Sequence, residues 1–256
     1  MPAVDPPLGK YLYCIIRSEE PVRFTTLGIG DRSDVVHTIN YMGLAAVVSD
    51  SPIVIYEGSR REMMVHTLVL EEVMHSHAIL PVRFGTVAPS TEAVSAKLLK
   101  RRFGELNGLF AEVEHRVELG LKAFWYEEVV YKEIVAENPP IRALRDGLMG
   151  RRMEETYYDR IHLGELIEAA MWTKRTEDSE AILSRLRPLA ISTVANKVIT
   201  DRMVLNAAFL VEEANQEPFD EMVKTLDAEM GKRLVFKYVG PVPPYNFVNI
   251  VVSWEE

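Results

Sequence analysis

The sequence predicts an α+β fold in two domains, and three observations carry that prediction. Apolar β-branched runs and amphipathic helical stripes are both present along the chain. At 256 residues the chain passes the size at which a single core stops growing. The tripeptide Asn138-Pro139-Pro140 is the clearest break, because two prolines cannot continue a helix and the residue before each is pushed out of helical dihedrals. It divides the chain into an N-terminal α+β domain, residues 1–138, and a C-terminal domain, residues 139–256.

Residues 11–16 are apolar on both parities and read as a buried strand, with a turn at Glu20-Pro21 behind it. Residues 35–39 and 44–48 flank Asn40-Tyr41-Met42-Gly43, a connection suited to a hairpin. From residue 60 to 76, Val65, Leu68, Val69 and Val73 fall at helical spacing, with Met63, Leu70 and Met74 widening the stripe. Residues 79–82 read as a short strand. Thr91 and Glu92 then supply a capping hydroxyl and an acid for a helix running to about Arg102. A further stripe through Leu106, Leu109, Phe110 and Val113 yields near Glu118 to the alternation Leu119, Leu121, Ala123, Trp125, which is a strand. Beyond the proline break, residues 142–187 are helix-rich. Strands follow at 189–198 and 203–211, a helix at 218–230, and strands at 234–239 and 247–252. The order αββαβ(β) predicts a ferredoxin-like layer of helices on a sheet.

Composition excludes several classes of function. Lys plus Arg is 29 against 38 Asp plus Glu, a net charge of -9, whereas nucleic acids and anionic membranes attract the opposite sign. The longest apolar stretches fall short of the roughly 18 to 20 residues that span a bilayer. A single cysteine rules out an intrachain disulfide, and residues 1–10 lack a basic region followed by an apolar one, so a reducing cytoplasm is the expected location.

Catalytic and ligand-binding signatures are sparse. Gly28-Ile29-Gly30 is a fragment of a dinucleotide fingerprint, but Ser33 stands where the third glycine belongs. No phosphate loop, nucleophile elbow, HExxH or CxxC occurs, so no cofactor or metal is expected. His66, His75 and His77 resemble a ligand cluster, yet on one helix His66 and His77 lie about 16 Å apart along the axis and His75 points the opposite way. Cys14 has no basic neighbour in sequence to lower its pKa and reads as a core residue. The arginine pairs 60–61, 101–102 and 151–152 sit on or beside helices, where exposed Arg is common. Two stretches differ in kind. Leu80-Pro81-Val82-Arg83-Phe84-Gly85-Thr86 sets an Arg, an aromatic and a Gly just behind a strand, so that a guanidinium anchors a loop turning at Gly85. Gly240-Pro241-Val242-Pro243-Pro244-Tyr245-Asn246-Phe247 is a stiff proline-rich crossing with aromatics.

With the opening Tyr11-Leu12-Tyr13, these stretches resemble the gas vesicle protein F/L family: a YLY strand, a helix beginning near a His (here His66), then LP-aliphatic-RFGT, complete at residues 80–86. The likeness extends to Gly164-Glu165-Leu166-Ile167-Glu168-Ala169, which is similar to a G-x-L-I-E-A helix, and to Asn206-Ala207-Ala208-Phe209-Leu210-Val211. Residues 240–247 are similar to GPWPPYSF, with Val242 in place of Trp and Asn246 in place of Ser. The resemblance implies two α+β domains, the second a modified ferredoxin-like fold with added helices. It also implies a non-enzymatic accessory or assembly role in gas vesicle formation, with the small apolar shell protein and other accessory proteins as partners. Arg83, Phe84, Gly85, Thr86 and Tyr245 are the candidate partner-binding residues. Two other readings remain open from the residues themselves: a cofactor-free enzyme using His66 with Glu71 or Glu72, and a ligand-sensing regulatory domain.

Overall fold

Strand β1 (Leu8–Arg17) is the centre from which the first sheet is built. The computed structural model describes residues 6–30 and 32–254. After β1 come β2 (Arg23–Leu27), β3 (Val35–Tyr41), β4 (Leu44–Pro52), α1 (Arg60–Met74), β5 (Ile79–Pro81) and β6 (Val87–Ala88). The sheet order is β2-β3-β4-β1-β5, with β6 also paired to β1. The β3–β4 connection is tighter than the expected four residues. Tyr41 pairs with Leu44, and only Met42 and Gly43, both at positive φ, make the turn. Positive φ at both central positions matches the right-handed twist of the flanking strands.

A bulge sets which side chains of β1 face which way. Leu12 pairs with Val48 but Cys14 pairs with Val47, so Tyr13 is an extra residue in the ladder. The parity of the strand therefore inverts at this point. Tyr11, Tyr13, Cys14 and Ile16 join the core cluster of Val69, Leu70 and Val73 from α1, while Leu12 and Ile15 join the opposite cluster. That second cluster includes Val94, Leu98 and Leu99 of a π-helical segment (Val94–Lys100). The segment continues the short helix α2 (Thr91–Ala93), whose cap is Ser90, and leads into α3 (Phe103–Val113) with Leu106 and Phe110. The sheet is thus covered on both faces, which is why β1 reads as apolar on both parities.

The chain forms two compact units, Met1–Glu118 with Pro241–Glu256, and Leu119–Gly240. In the second lie most of β7 (Arg116–Trp125), then α4 (Glu127–Glu137), α5 (Pro139–Leu148), α6 (Tyr157–Leu186), β8 (Ser192–Ala195), β9 (Met203–Glu212), α7 (Gln216–Met230) and β10 (Leu234–Val242). Its sheet order is β10-β7-β9-β8, and its element order is β-α-β-β-α-β, that of a ferredoxin-like unit with three helices in the first crossover. The break at Asn138-Pro139-Pro140 lies inside this unit: both prolines occupy the first turn of α5, where a missing N–H costs nothing. Strand β7, assigned by sequence to the N-terminal domain, is hydrogen-bonded between β10 and β9.

The expected strand over 247–252 is absent. Val248 donates to the Pro244 carbonyl in a turn, and the one strand-like pairing beyond it is a parallel bridge between Ile250 and Val82. The neighbouring β5 ends at Pro81, whose missing N–H shortens any ladder there. Val248 and Ile250 are nonetheless buried in the first unit's core. Likewise only residues 192–195 of the expected 189–198 form a strand.

Candidate functional site

Helix α1 begins at a capping box, in which Ser59 accepts from the Glu62 N–H and Glu62 accepts from the Ser59 N–H. Its buried face is His66, Val69, Leu70 and Val73, while Leu68 is exposed, so the helix lies rotated from the stripe read in the sequence. The rotation brings an imidazole inside. His66 is 3% exposed and stacks on Tyr13 at 5.5 Å between ring centroids, with Tyr11 and Phe84 edge-on at 5.8 and 5.5 Å.

Three hydrogen bonds fix the state of this ring. The Gly85 N–H donates to the Tyr11 hydroxyl at 3.0 Å, leaving the buried Tyr11 O–H to donate to His66 Nδ1, also at 3.0 Å. With Nδ1 accepting, the neutral ring carries its proton on Nε2 and donates to the Tyr245 hydroxyl at 2.9 Å. Burial pushes His66 down to about 4, so it is neutral at pH 7. The Tyr245 hydroxyl, having accepted, keeps its own proton for a further partner.

The turn after β5 is shaped for this arrangement. Gly85 sits at φ +81°, a region that disfavours any residue with a Cβ. Thr86 Oγ1 donates to the Arg83 carbonyl at 2.7 Å, and Leu12 N donates to the Thr86 carbonyl at 2.9 Å. Beside the turn, a cleft of about 280 Å³ is lined by Met63, Pro81, Phe84, Val248 and Ile250, with His66, Thr67, Arg83, Tyr245 and Asn249 as its polar groups. Arg83 is exposed, Tyr245 is 45% exposed and Phe84 is half-buried.

Of the five residues singled out by sequence, the structure brings Arg83, Phe84 and Tyr245 to one cleft, whereas Gly85 and Thr86 form the turn that presents the first two. His66 completes the set. The helical pattern offered a reason to note it but none to link it with Tyr11 or Tyr245. Glu72, one of the two carboxylates considered as its partner, instead accepts from the Thr25 N–H and hydroxyl and the Thr26 N–H at 2.7 to 2.8 Å; the other, Glu71, is exposed. Burial acts to raise Glu72, but these bonds outweigh it and hold the carboxyl at about 2.

The remaining candidates have structural surroundings. Cys14 is fully buried, which pushes its thiol up. The Gly28-Ile29-Gly30 loop braces β1, since Ile29 N donates to the Tyr13 hydroxyl at 2.7 Å and a Cβ on Gly28 would meet Ser49 at 2.5 Å. Arg102 donates to Glu105 and to the Val251 carbonyl. Among the described residues no three His, Cys, Asp or Glu side chains cluster as a metal site, and no helix is long and apolar enough to cross a membrane.

Comparison with known proteins agrees with this architecture over nearly its whole length. The crystal structure of gas vesicle protein GvpF from an Anabaena species superposes with a TM-score of 0.82 at 29% identity, covering 95% of this chain and 99% of that one. GvpF from Microcystis aeruginosa gives 0.75 at 30%, covering 93% and 98%. In sequence, gas vesicle protein F of a Streptomyces species is 33% identical over 243 residues, 94% of this chain and 100% of that relative. The corresponding protein of a Nostoc species is 30% identical over 246 residues, 94% and 98% of the two chains. The family model for gas vesicle synthesis protein GvpL/GvpF matches residues 9–249, a span that takes in the β1 tyrosines, the turn at Gly85 and the Tyr245 crossing, and the chain belongs to that family.

Proposed function

We propose that this protein is an accessory factor that binds the small apolar shell protein during gas vesicle formation in the cytoplasm, alongside other accessory proteins and without catalysing a reaction. The observation that carries the reading is the cleft of unit one. An exposed guanidinium and two aromatic rings surround apolar walls, and aromatic and Arg side chains dominate the energetics of protein interfaces. A subunit with an apolar face is prone to aggregate before assembly, and a partner that covers the face suppresses this. Catalysis by His66 is disfavoured by its surroundings: its polar neighbours are two phenols, and the Glu72 carboxylate is committed elsewhere.

The test is co-purification of the shell protein with the full chain and with the double variant Arg83→Ala, Phe84→Ala. Loss of the shell protein with the thermal melt retained supports the reading. Retention of binding by a folded double variant refutes the assigned surface, and normal vesicles in cells lacking the gene and any second family member refute the function.

A further inference from the structure

Helix α6 runs for 30 residues, yet its buried positions are Asp178, Ile182, Leu183 and Leu186, all in its last third. The first five turns carry large apolar side chains in the open: Tyr158 is 83% exposed, Ile161 45% and Trp172 66%. At 100° per residue, Tyr158, Ile161, Glu165, Glu168 and Trp172 fall within about 80° of one another, on one face. A groove of about 810 Å³ adjoins that face and shares Glu165, Glu168 and Trp172 with it. Its apolar lining is Ile167, Ala169, Met171 and Trp172, its acids are Glu165, Glu168 and Asp201, and Gly164 leaves open space where a Cβ would stand.

The charge of this groove is net negative, three carboxylates against the one cation Arg175. Arg175 also lines it, but its guanidinium donates to the carbonyls of Asp201 and Met203 and lies over the Trp125 ring at 5.6 Å. Lys174 turns to Glu133 and Glu137. Glu165 has only an exposed His162 at 3.6 Å, and Glu168 has no partner among the described residues. The motif Gly164–Ala169, which the cleft in unit one leaves without a role, therefore places two available carboxylates beside an exposed Trp and an open approach at Gly164.

We infer that this groove of α6 is a docking surface for a basic amphipathic helix of a protein partner. The groove from Gly164 to Arg175 is about 16 Å long, the length of three helical turns. The backbone groups of α6 are satisfied within the helix, so a partner gains purchase through side chains, as in helix-in-groove recognition. Apolar residues of the incoming helix meet Ile167, Met171 and Trp172, and its flanking Lys or Arg residues meet Glu165 and Glu168. A second copy of this chain would set the same carboxylates against each other, and an anionic membrane carries the wrong sign.

Two labelled peptides of about 16 residues test this against the full chain by fluorescence anisotropy. One is a designed amphipathic helix with Leu on one face and Lys on its flanks, and the other has every Lys replaced by Glu. The basic peptide is expected to bind at least about tenfold more tightly than the acidic one. Glu165→Lys with Glu168→Lys is expected to reverse that preference, and Trp172→Ala to weaken the basic peptide by about tenfold or more. The pair Glu165→Gln, Glu168→Gln should weaken the basic peptide without admitting the acidic one. These exposed positions leave the fold intact, which circular dichroism melts check. Absence of saturable binding up to about 1 mM basic peptide overturns the inference. So does an unchanged preference in the charge-reversed variant, or a concentration-dependent dimer that excludes the peptide.

Discussion

Asn246 donates its backbone N–H and its side-chain amide to the carboxyl of Glu118, which is 3% exposed. The two residues lie where the chain leaves the first unit, at Glu118, and just after it re-enters, at Pro241. The second unit is thus an insertion in the first, and this pair fastens the two ends of the interrupted chain. Asn stands here where the resembled motif has Ser, and its longer amide adds a second donor to a carboxyl that burial has raised.

Asn246→Ala should therefore destabilise the first unit by about 1 to 3 kcal/mol, the cost of leaving a buried acceptor short of a donor. Burial raises the Glu118 pKa and the Asn246 donors lower it, so those donors favour the ionised form. The penalty of the variant is accordingly larger when Glu118 is ionised than when it is protonated. Urea denaturation of both proteins at several pH values should show the gap widening as pH rises. A gap that narrows instead would show that Asn246 serves the protonated acid.

Truncation before residue 241 should abolish cooperative folding of the first unit. It removes Val248 and Ile250 from the core, the Tyr245 hydroxyl from His66, and the carbonyls that accept from Lys97 and Arg102. Two buried aliphatic side chains contribute about 3 to 6 kcal/mol, comparable with the whole stability of many domains. Amide exchange read by peptide is the measurement. Loss of protection in β1 and β4 with protection retained in β7 and β9 is the expected pattern.

Elements governed by local periodicity are legible in the sequence: β1, the β3–β4 hairpin and β9 follow their apolar spacing, and α1 is legible in its bounds but not in the face it buries. The insertion is not, because Pro139 and Pro140 disrupt the middle of a helix and yet suit the first turn of one, and sequence alone does not say which. Helix α4 carries little sequence signal because its buried residues are few, Val130, Ile134 and Val135 among many charges. The Tyr13 bulge left no local mark either, though it decides that Tyr13 and Cys14 share a face. For the site, Arg83 and Phe84 were named through one stretch and Tyr245 through another. The hydrogen-bonded path from the turn at Gly85 to Tyr245 passes through Tyr11 and His66, whose partners lie 55 and 179 residues away in sequence.

In the second unit, Asp178→Ala should cost about 2 to 3 kcal/mol. Asp178 accepts from Trp125 Nε1 at 2.7 Å and from both terminal nitrogens of Arg233 at 3.1 Å, so its removal leaves a buried indole N–H and a half-buried cation short of partners. Glu133 still holds Arg233 through two bonds, which limits the loss. Asp178→Asn, which keeps an acceptor for the indole, should recover part of it. A shift of the intrinsic Trp125 fluorescence on substitution, measured with the denaturation midpoint, distinguishes local loosening from global unfolding.

The last prediction concerns pH and His66. Its folded value is about 4 against 6.5 for the free side chain, so between these limits the unfolded chain binds the proton that the folded one refuses. Stability from keeping the ring neutral is fully present above about 6.5 and is lost as pH falls toward 4, at up to about 1.4 kcal/mol per pH unit. Glu118 acts in the opposite sense, since a raised carboxyl takes up its proton in the folded state first. Glu72, held at about 2, stays ionised in this range. His66→Gln cancels only the histidine's share, so comparing slopes isolates it. Between pH 6.5 and 5 the parent protein should lose stability more steeply than His66→Gln in urea titrations, even though the variant starts lower. Tyr245→Phe removes the acceptor of the Nε2 proton but leaves the ring buried, so it should keep the steep slope. Parallel slopes in the parent and His66→Gln would mean that the buried imidazole takes up its proton as readily in the folded chain as in the unfolded one, and that burial does not lower its pKa.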